Sequence, residues 1–205
     1  PRISAGDDQA FSIVWSDNRS QADLYDVYFA RINTNMEKLF DEDIRVNEPF
    51  DDTNVETPDA ASIGDGIVCI CWTDNRQTVR DVYARRFQEN GKAVDARDFI
   101  VNPLFEGTNS VQPRVSGDRE GTAVVVWSDD RLYIPGPPED ARSDIFFRLL
   151  PRTAIPNDKG EWPGLEEDIQ VSDADEGTDD AITPAIAGNE HGLYVVAWCN
   201  QSSDA

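Results

Sequence analysis

Three features of the 205-residue sequence predict an all-β chain, a β-propeller of four-stranded blades with about 3.5 blades present. A proline-to-tryptophan unit recurs four times at fixed spacing. The same series of short apolar and alternating segments follows each full copy. No window sustains the i, i+3, i+4, i+7 apolar pattern of a helix.

The unit runs from Pro1 to Trp15, Pro58 to Trp72, Pro113 to Trp127 and Pro184 to Trp198, a step of 14 residues each time. Three near-identical segments follow: Trp15-Ser-Asp-Asn-Arg19, Trp72-Thr-Asp-Asn-Arg76 and Trp127-Ser-Asp-Asp-Arg131. The fourth copy departs, reading Trp198-Cys-Asn-Gln-Ser202. Each full repeat holds four strand candidates. The first is short and starts at proline, a tolerated strand opening. The second, as in Ala123 to Trp127, is apolar throughout, as a strand buried on both sides requires. The third, Asp26 to Ile32 with its counterparts at Asp81 and Asp144, is aromatic and β-branched. The fourth, such as Ile44 to Asn47, alternates and is more polar, as suits an outer edge. Gly6-Asp7, Gly64-Asp65, Gly117-Asp118 and Gly188-Asn189 mark tight turns.

The blade repeats are read as 1–57, 58–112, 113–183 and an incomplete 184–205, together one partial propeller. The tryptophans step by 57, 55 and 71 residues, the last interval carrying insertions from Leu132 to Arg142 and from Pro151 to Gly164. Tandem immunoglobulin-like sandwiches need roughly 100 residues per unit, too many for this step. An incomplete ring leaves open strand edges. The expected partners are therefore the remaining blades of a longer chain, or another protein chain.

Charge narrows the function classes. The chain has 40 acidic and 18 basic residues, a formal net charge of −22, which excludes nucleic acid as a partner and disfavours anionic membranes. No stretch approaches the ~20 apolar residues of a membrane helix, so membrane insertion is not expected. An Asp-rich, Lys-poor surface suits an extracellular or cell-surface protein and makes calcium a candidate ion. Cys69 and Cys71 share one strand face. Burial as small hydrophobes, or a disulfide from one of them to Cys199, are both open.

The segments Trp-Ser-Asp-Asn-Arg, Asp81-Val-Tyr-Ala-Arg85 and Val46-Asn47 resemble blade repeats of secreted bacterial and archaeal propeller proteins of the sialidase-like superfamily. That resemblance implies blades across nearly the whole chain and a ligand-binding rim. Sialidases also carry Asp-box turns. The nearest stretch here is Ser116 to Thr122, with one extra residue before Gly121.

The rim turns between second and third strands carry Asp17, Arg19, Asp74, Arg76, Asp129 and Arg131. Arginines there can grip a carboxylate in bidentate fashion, or can hold the turn by pairing with Asp26, Asp81 and Asp144. Asp173, Asp175 and Asp179 place oxygen ligands around Gly177 at spacing that suits calcium. His191, the lone histidine, falls in a turn with no accompanying nucleophile elbow. A residue set that recurs in every blade argues for architecture over chemistry. The expected function is thus a non-catalytic extracellular binding or scaffold module, with glycans among its candidate ligands. The alternatives are a sialidase-like or other glycoside hydrolase domain, and a structural subunit of a surface layer or filament.

Overall fold

The computed structural model describes residues 1–21, 23–50, 52–103, 107–131, 142–153, 168–172 and 179–202. Among them there is no helix. The chain forms three four-stranded antiparallel meanders and one hairpin, arranged as a partial β-propeller. Blade 1 comprises β1 (Arg2–Ala5), β2 (Phe11–Gln21), β3 (Leu24–Ile32) and β4 (Ile44–Arg45). Blade 2 comprises β5 (Val55–Ser62), β6 (Ile67–Asp74), β7 (Asp81–Gln88) and β8 (Phe99–Ile100). Blade 3 comprises β9 (Ser110–Gly117), β10 (Thr122–Asp129), β11 (Asp144–Pro151) and β12 (Ile169–Gln170). Blade 4 is the hairpin β13 (Asp179–Gly188) and β14 (Tyr194–Ser202).

Successive side chains of a strand point to opposite faces, and the second strands use both. On β6, Val68, Ile70 and Trp72 face blade 1 and pack with Val14, Val27 and Phe29. The intervening Cys69 and Cys71 face blade 3 and pack with Val125 and Trp127. Trp72 and Trp127 are both 0% exposed. A continuous apolar run is therefore what a sheet wedged between two other sheets demands.

The first strands differ from the sequence expectation. β5, β9 and β13 begin upstream of Pro58, Pro113 and Pro184, and each proline sits at a register shift inside its strand. The residue before it takes positive φ: Thr57 at 48°, Gln112 at 56° and Thr183 at 52°. Proline has no N–H to give the ladder, so a bulge is where a strand interior accommodates it.

Blades are also stitched by arginines. The Nη1 of Arg85 donates to the Val46 carbonyl of blade 1 at 3.0 Å, and that of Arg148 to the Val101 carbonyl of blade 2 at 2.6 Å. Arg86 is 2% exposed. Its Nη2 meets Asp95 at 2.5 Å while its Nη1 reaches the Arg152 carbonyl of blade 3 at 2.8 Å. At the axis the inner strands approach closely. A Cβ on Gly117 would lie 2.4 Å from the Ser62 carbonyl oxygen of β5, so glycine alone fits there.

Removing one partner of a buried ion pair strands the other charge. Arg86→Ala is expected to lower the unfolding free energy by roughly 3 kcal/mol in urea titration. The same change at exposed Arg119 should move it by under about 0.5 kcal/mol.

Candidate functional site

The rim motif builds one clasp per full blade. In each, the tryptophan Nε1 donates to the aspartate two residues on: Trp15 to Asp17 at 3.4 Å, Trp72 to Asp74 at 3.3 Å and Trp127 to Asp129 at 3.0 Å. The other carboxylate oxygen accepts the backbone N–H of the arginine, at 2.8 Å from Arg19 and Arg76 and 2.9 Å from Arg131. The guanidinium folds back onto the same carboxylate and lies over an aromatic ring of the third strand. Its carbon is 4.2 Å from the Tyr28 centroid, 4.1 Å from Tyr83 and 3.9 Å from Phe146. It then reaches an aspartate just before the fourth strand: Asp43, Asp98 or Asp168. One arginine thus ties three strands of its sheet.

Electrostatics follow this geometry. Hydrogen bonding from Arg19 pulls Asp17 down to about 2. Burial works to raise Asp129, but the Arg131 bond and charge prevail and its carboxyl lies below the ordinary range. The arginine partners differ from the sequence expectation. Asp26 pairs instead with Arg45 at 2.5 Å, because the guanidinium of Arg19 is drawn over the ring of Tyr28 and across to β4. Arg76 and Arg131 have 9% and 8% of their side chains exposed, whereas Arg19 keeps 44%. Of the three rim arginines, Arg19 is thus the one that opens to solvent. In blade 4, Asn200 replaces the aspartate and still accepts from Trp198 Nε1 at 3.0 Å.

Blade 2 has an exception. Asp81 is 2% exposed, and its Oδ1 accepts from Asn102 Nδ2 at 2.9 Å while Oδ2 has no hydrogen-bond partner. In blade 1 the equivalent Asp26 has both Arg45 and Ser20. Ile100 and Gln77 stand at those positions in blade 2. Burial raises the Asp81 pKa, and the nearby charges of Asp74 and Asp129 raise it further.

The other site lies on the axis. A cavity of about 350 Å³ is bounded by all four inner strands, through residues such as Ser4 of β1, Ala60 of β5, Ser116 of β9 and Ile186 of β13. The turns between first and second strands converge at one end. There Arg119 of blade 3 joins Asp7 of blade 1 at 3.3 Å and Glu190 of blade 4 at 2.5 Å. Asp59 is the one carboxylate among the described residues lining the cavity. Its Oδ2 accepts the Val115 N–H of the next blade at 3.1 Å. Burial raises its pKa, opposed by that bond and by the fields of Arg114 and Arg2. Arg114 is lowered by burial and by the charge of Arg2.

Sequence reasoning missed Asp59, although a signal was present. The residue after the repeat proline reads Arg2, Asp59, Arg114 and Ala185, so this position breaks the repeat that surrounds it. Of the calcium candidates, Asp173 and Asp175 lie outside the described residues. Asp179 opens β13, where its backbone pairs with Ser202. Among the described residues no group of three His, Cys, Asp or Glu side chains could hold a metal. His191 is exposed, 3.5 Å from Glu190. The three thiols are free, with Cys69 and Cys71 buried and Cys199 exposed. Burial pushes the Cys69 thiol up to about 12.

No protein-family model matches the chain, and no curated protein matches it by sequence. Solved structures do match in fold. The GH93 α-L-arabinofuranosidase of Fusarium graminearum, in complex with arabinobiose, superposes with a TM-score of 0.60 at 13% identity. That match covers 92% of this chain and 53% of the enzyme. An α-L-arabinanase of Penicillium chrysogenum complexed with arabinobiose gives 0.58 at 13% identity, over 92% and 53% of the two chains. An endo-arabinase of Bacteroides thetaiotaomicron gives 0.53 at 10% identity, over 96% and 68%. The chain spans about half the length of the fungal enzymes it matches. At such identity the likeness establishes the fold, that of β-propeller blades. It also corrects the expectation of a non-catalytic module. The same run of blades occurs inside glycoside hydrolases, so repetition in every blade is no argument against a catalytic site.

Asp81 gives a pH-dependent outcome. Its folded pKa is raised, so its contribution is fully present below the unfolded value near 3.9 and is lost as pH rises through the folded value. Asp81→Asn should therefore melt above wild type at pH 7, with the gap closing near pH 3. Calorimetry at the two pH values checks this.

Proposed function

We propose that the chain is a segment of a propeller glycoside hydrolase, acting on an arabinose-containing or related glycan bound over the axial cavity. The observation that carries this reading is Asp59, a desolvated and unrepeated carboxylate on an inner strand facing that cavity. Glycosidases flank the scissile bond with two carboxyl groups, one of them a proton donor with a raised pKa. Burial of Asp59 supplies the raised pKa, and the Val115 N–H fixes the orientation of the carboxyl. Among the described lining residues there is no second carboxyl. The arabinan-directed neighbours support the choice of glycan class; the structural likeness is to propeller blades and does not extend to the sialidase-like superfamily that the sequence resembles. An extracellular or cell-surface location fits both a polymeric substrate and the acidic surface.

Arabinobiose and longer arabino-oligosaccharides test this reading. With the full polypeptide, turnover is measured by released arabinose and binding by calorimetry. Asp59→Asn, nearly isosteric, should reduce kcat by roughly 100-fold or more while the protein stays folded and melts no lower than wild type at pH 7, since the change removes a desolvated charge. Wild-type protein that neither binds nor cleaves any of these oligosaccharides would sink the reading.

A further inference from the structure

A regular strand sends residues three apart to opposite faces. In β5 the bulge cancels that rule for Glu56 and Asp59. Glu56 pairs with Thr73 and Asp59 with Cys71, so Thr57 and Pro58 together stand opposite Trp72. Thr73 and Cys71 are two apart on β6 and share a face, the one on which Cys71 packs toward Val125 and Trp127 of blade 3. Glu56 and Asp59 therefore project side by side from that face, with a backbone spacing of about 6.5–7 Å along the strand. The same frame recurs with other contents. In β9, Val111 pairs with Ser128 and Arg114 with Val126; in β13, Ile182 pairs with Cys199 and Ala185 with Ala197. Among the described bulges, that of blade 2 alone carries an acid at both places, and valine and isoleucine at the first show that the fold asks for no acid there.

Glu56 is half-buried. Its Oε1 accepts from Asn54 Nδ2 at 3.3 Å, and it forms no ion pair among the described residues. It lies on the clasp-rim side of Asp59, since the adjoining Val55 pairs with the clasp aspartate Asp74. A glycan that comes to the axial cavity from that rim passes both carboxyls. We propose, resting on the glycosidase reading above, that Glu56 is the second carboxyl of the site and acts as general base beside the acid Asp59. Inverting glycosidases hold their two carboxyls about 6.5–9.5 Å apart, which leaves room for a water, and the backbone spacing here falls at the lower end of that range. The water oxygen bonds to the anomeric carbon as the glycosidic carbon–oxygen bond breaks. Glu56 takes a proton from the water, Asp59 gives its own to the leaving oxygen, and the anomeric configuration inverts.

Kinetics of the full polypeptide on arabino-oligosaccharides test the assignment. Glu56→Gln keeps an oxygen for Asn54 Nδ2, so the protein should stay folded while kcat falls roughly 100-fold or more. The acid limb of the kcat profile should disappear with it, because that limb reports protonation of the base. Azide, an anion that attacks without a base, should restore turnover of the variant and yield an arabinosyl azide of inverted configuration. A variant that cleaves within about threefold of wild type would overturn the proposal and leave the glycosidase reading standing. So would a loss of kcat that azide does not repair, which marks a merely structural role. Wild-type protein that neither binds nor cleaves these sugars would overturn both.

Discussion

The structure rests on burial of the second strand of each blade on both faces. A single four-stranded sheet would bury one side and expose the other. Here β6 has neither side free: its odd residues belong to one interblade core and its even residues to the other. Each interface therefore constrains the next, as in other repeat architectures, where a unit is stable chiefly through its neighbours. Trp72 and Trp127, each with blades on both sides, are sealed, while Trp15 and Trp198 in the flanking blades are half-buried.

Within a blade, the clasp performs a different task. The inner strands are held by packing, but the outer strands β4, β8 and β12 are two residues long and have little apolar area to contribute. A guanidinium stacked on the third-strand ring and bonded to the aspartate before the fourth strand anchors them where packing cannot. Its strength comes from exclusion of water at Arg76 and Arg131. At the more exposed Arg19 the same contacts are screened and count for less. Arg85, Arg86 and Arg148 each reach a backbone carbonyl of the neighbouring blade. They therefore fix the relative height of the sheets without requiring a particular side chain on the other side.

The architecture was legible because its physical causes are periodic. Alternation, continuous apolar runs and the invariant proline-to-tryptophan step all report burial geometry. Two details were hidden. The prolines marked the start of each inner strand in sequence, yet β5, β9 and β13 run through them by way of a bulge. Only the positive φ of Thr57, Gln112 and Thr183 reveals it, and threonine and glutamine give no local sign of such a conformation. The partners of the rim arginines were also misassigned to Asp26, Asp81 and Asp144. Proximity in sequence favoured those acids, whereas ring stacking decides the direction of the guanidinium and sends it to the far strand.

The candidate site was harder to see for a reason that is itself informative. Repetition drew attention to residues present in every blade, and those turn out to be clasps. Chemistry on a propeller axis needs an asymmetric centre, because a substrate has no rotational symmetry to match the blades. The relevant signal is therefore a position where the repeat fails while the backbone is preserved. The residue after the proline is such a position: the pairing of Asp59 with Cys71 matches that of Arg2 with Val14, Arg114 with Val126 and Ala185 with Ala197, while the side chain changes from Arg2 to Asp59 to Arg114 to Ala185. An acid placed there is held by a frame that four blades share and faces a cavity that all four enclose. The fold does not require an acid there in every blade, since Ala185 occupies the same place in blade 4. Its Oδ2 takes the Val115 N–H of the next blade, so the same carboxyl that lines the axial cavity also joins two inner strands, and charge at this one blade breaks the symmetry of the axis.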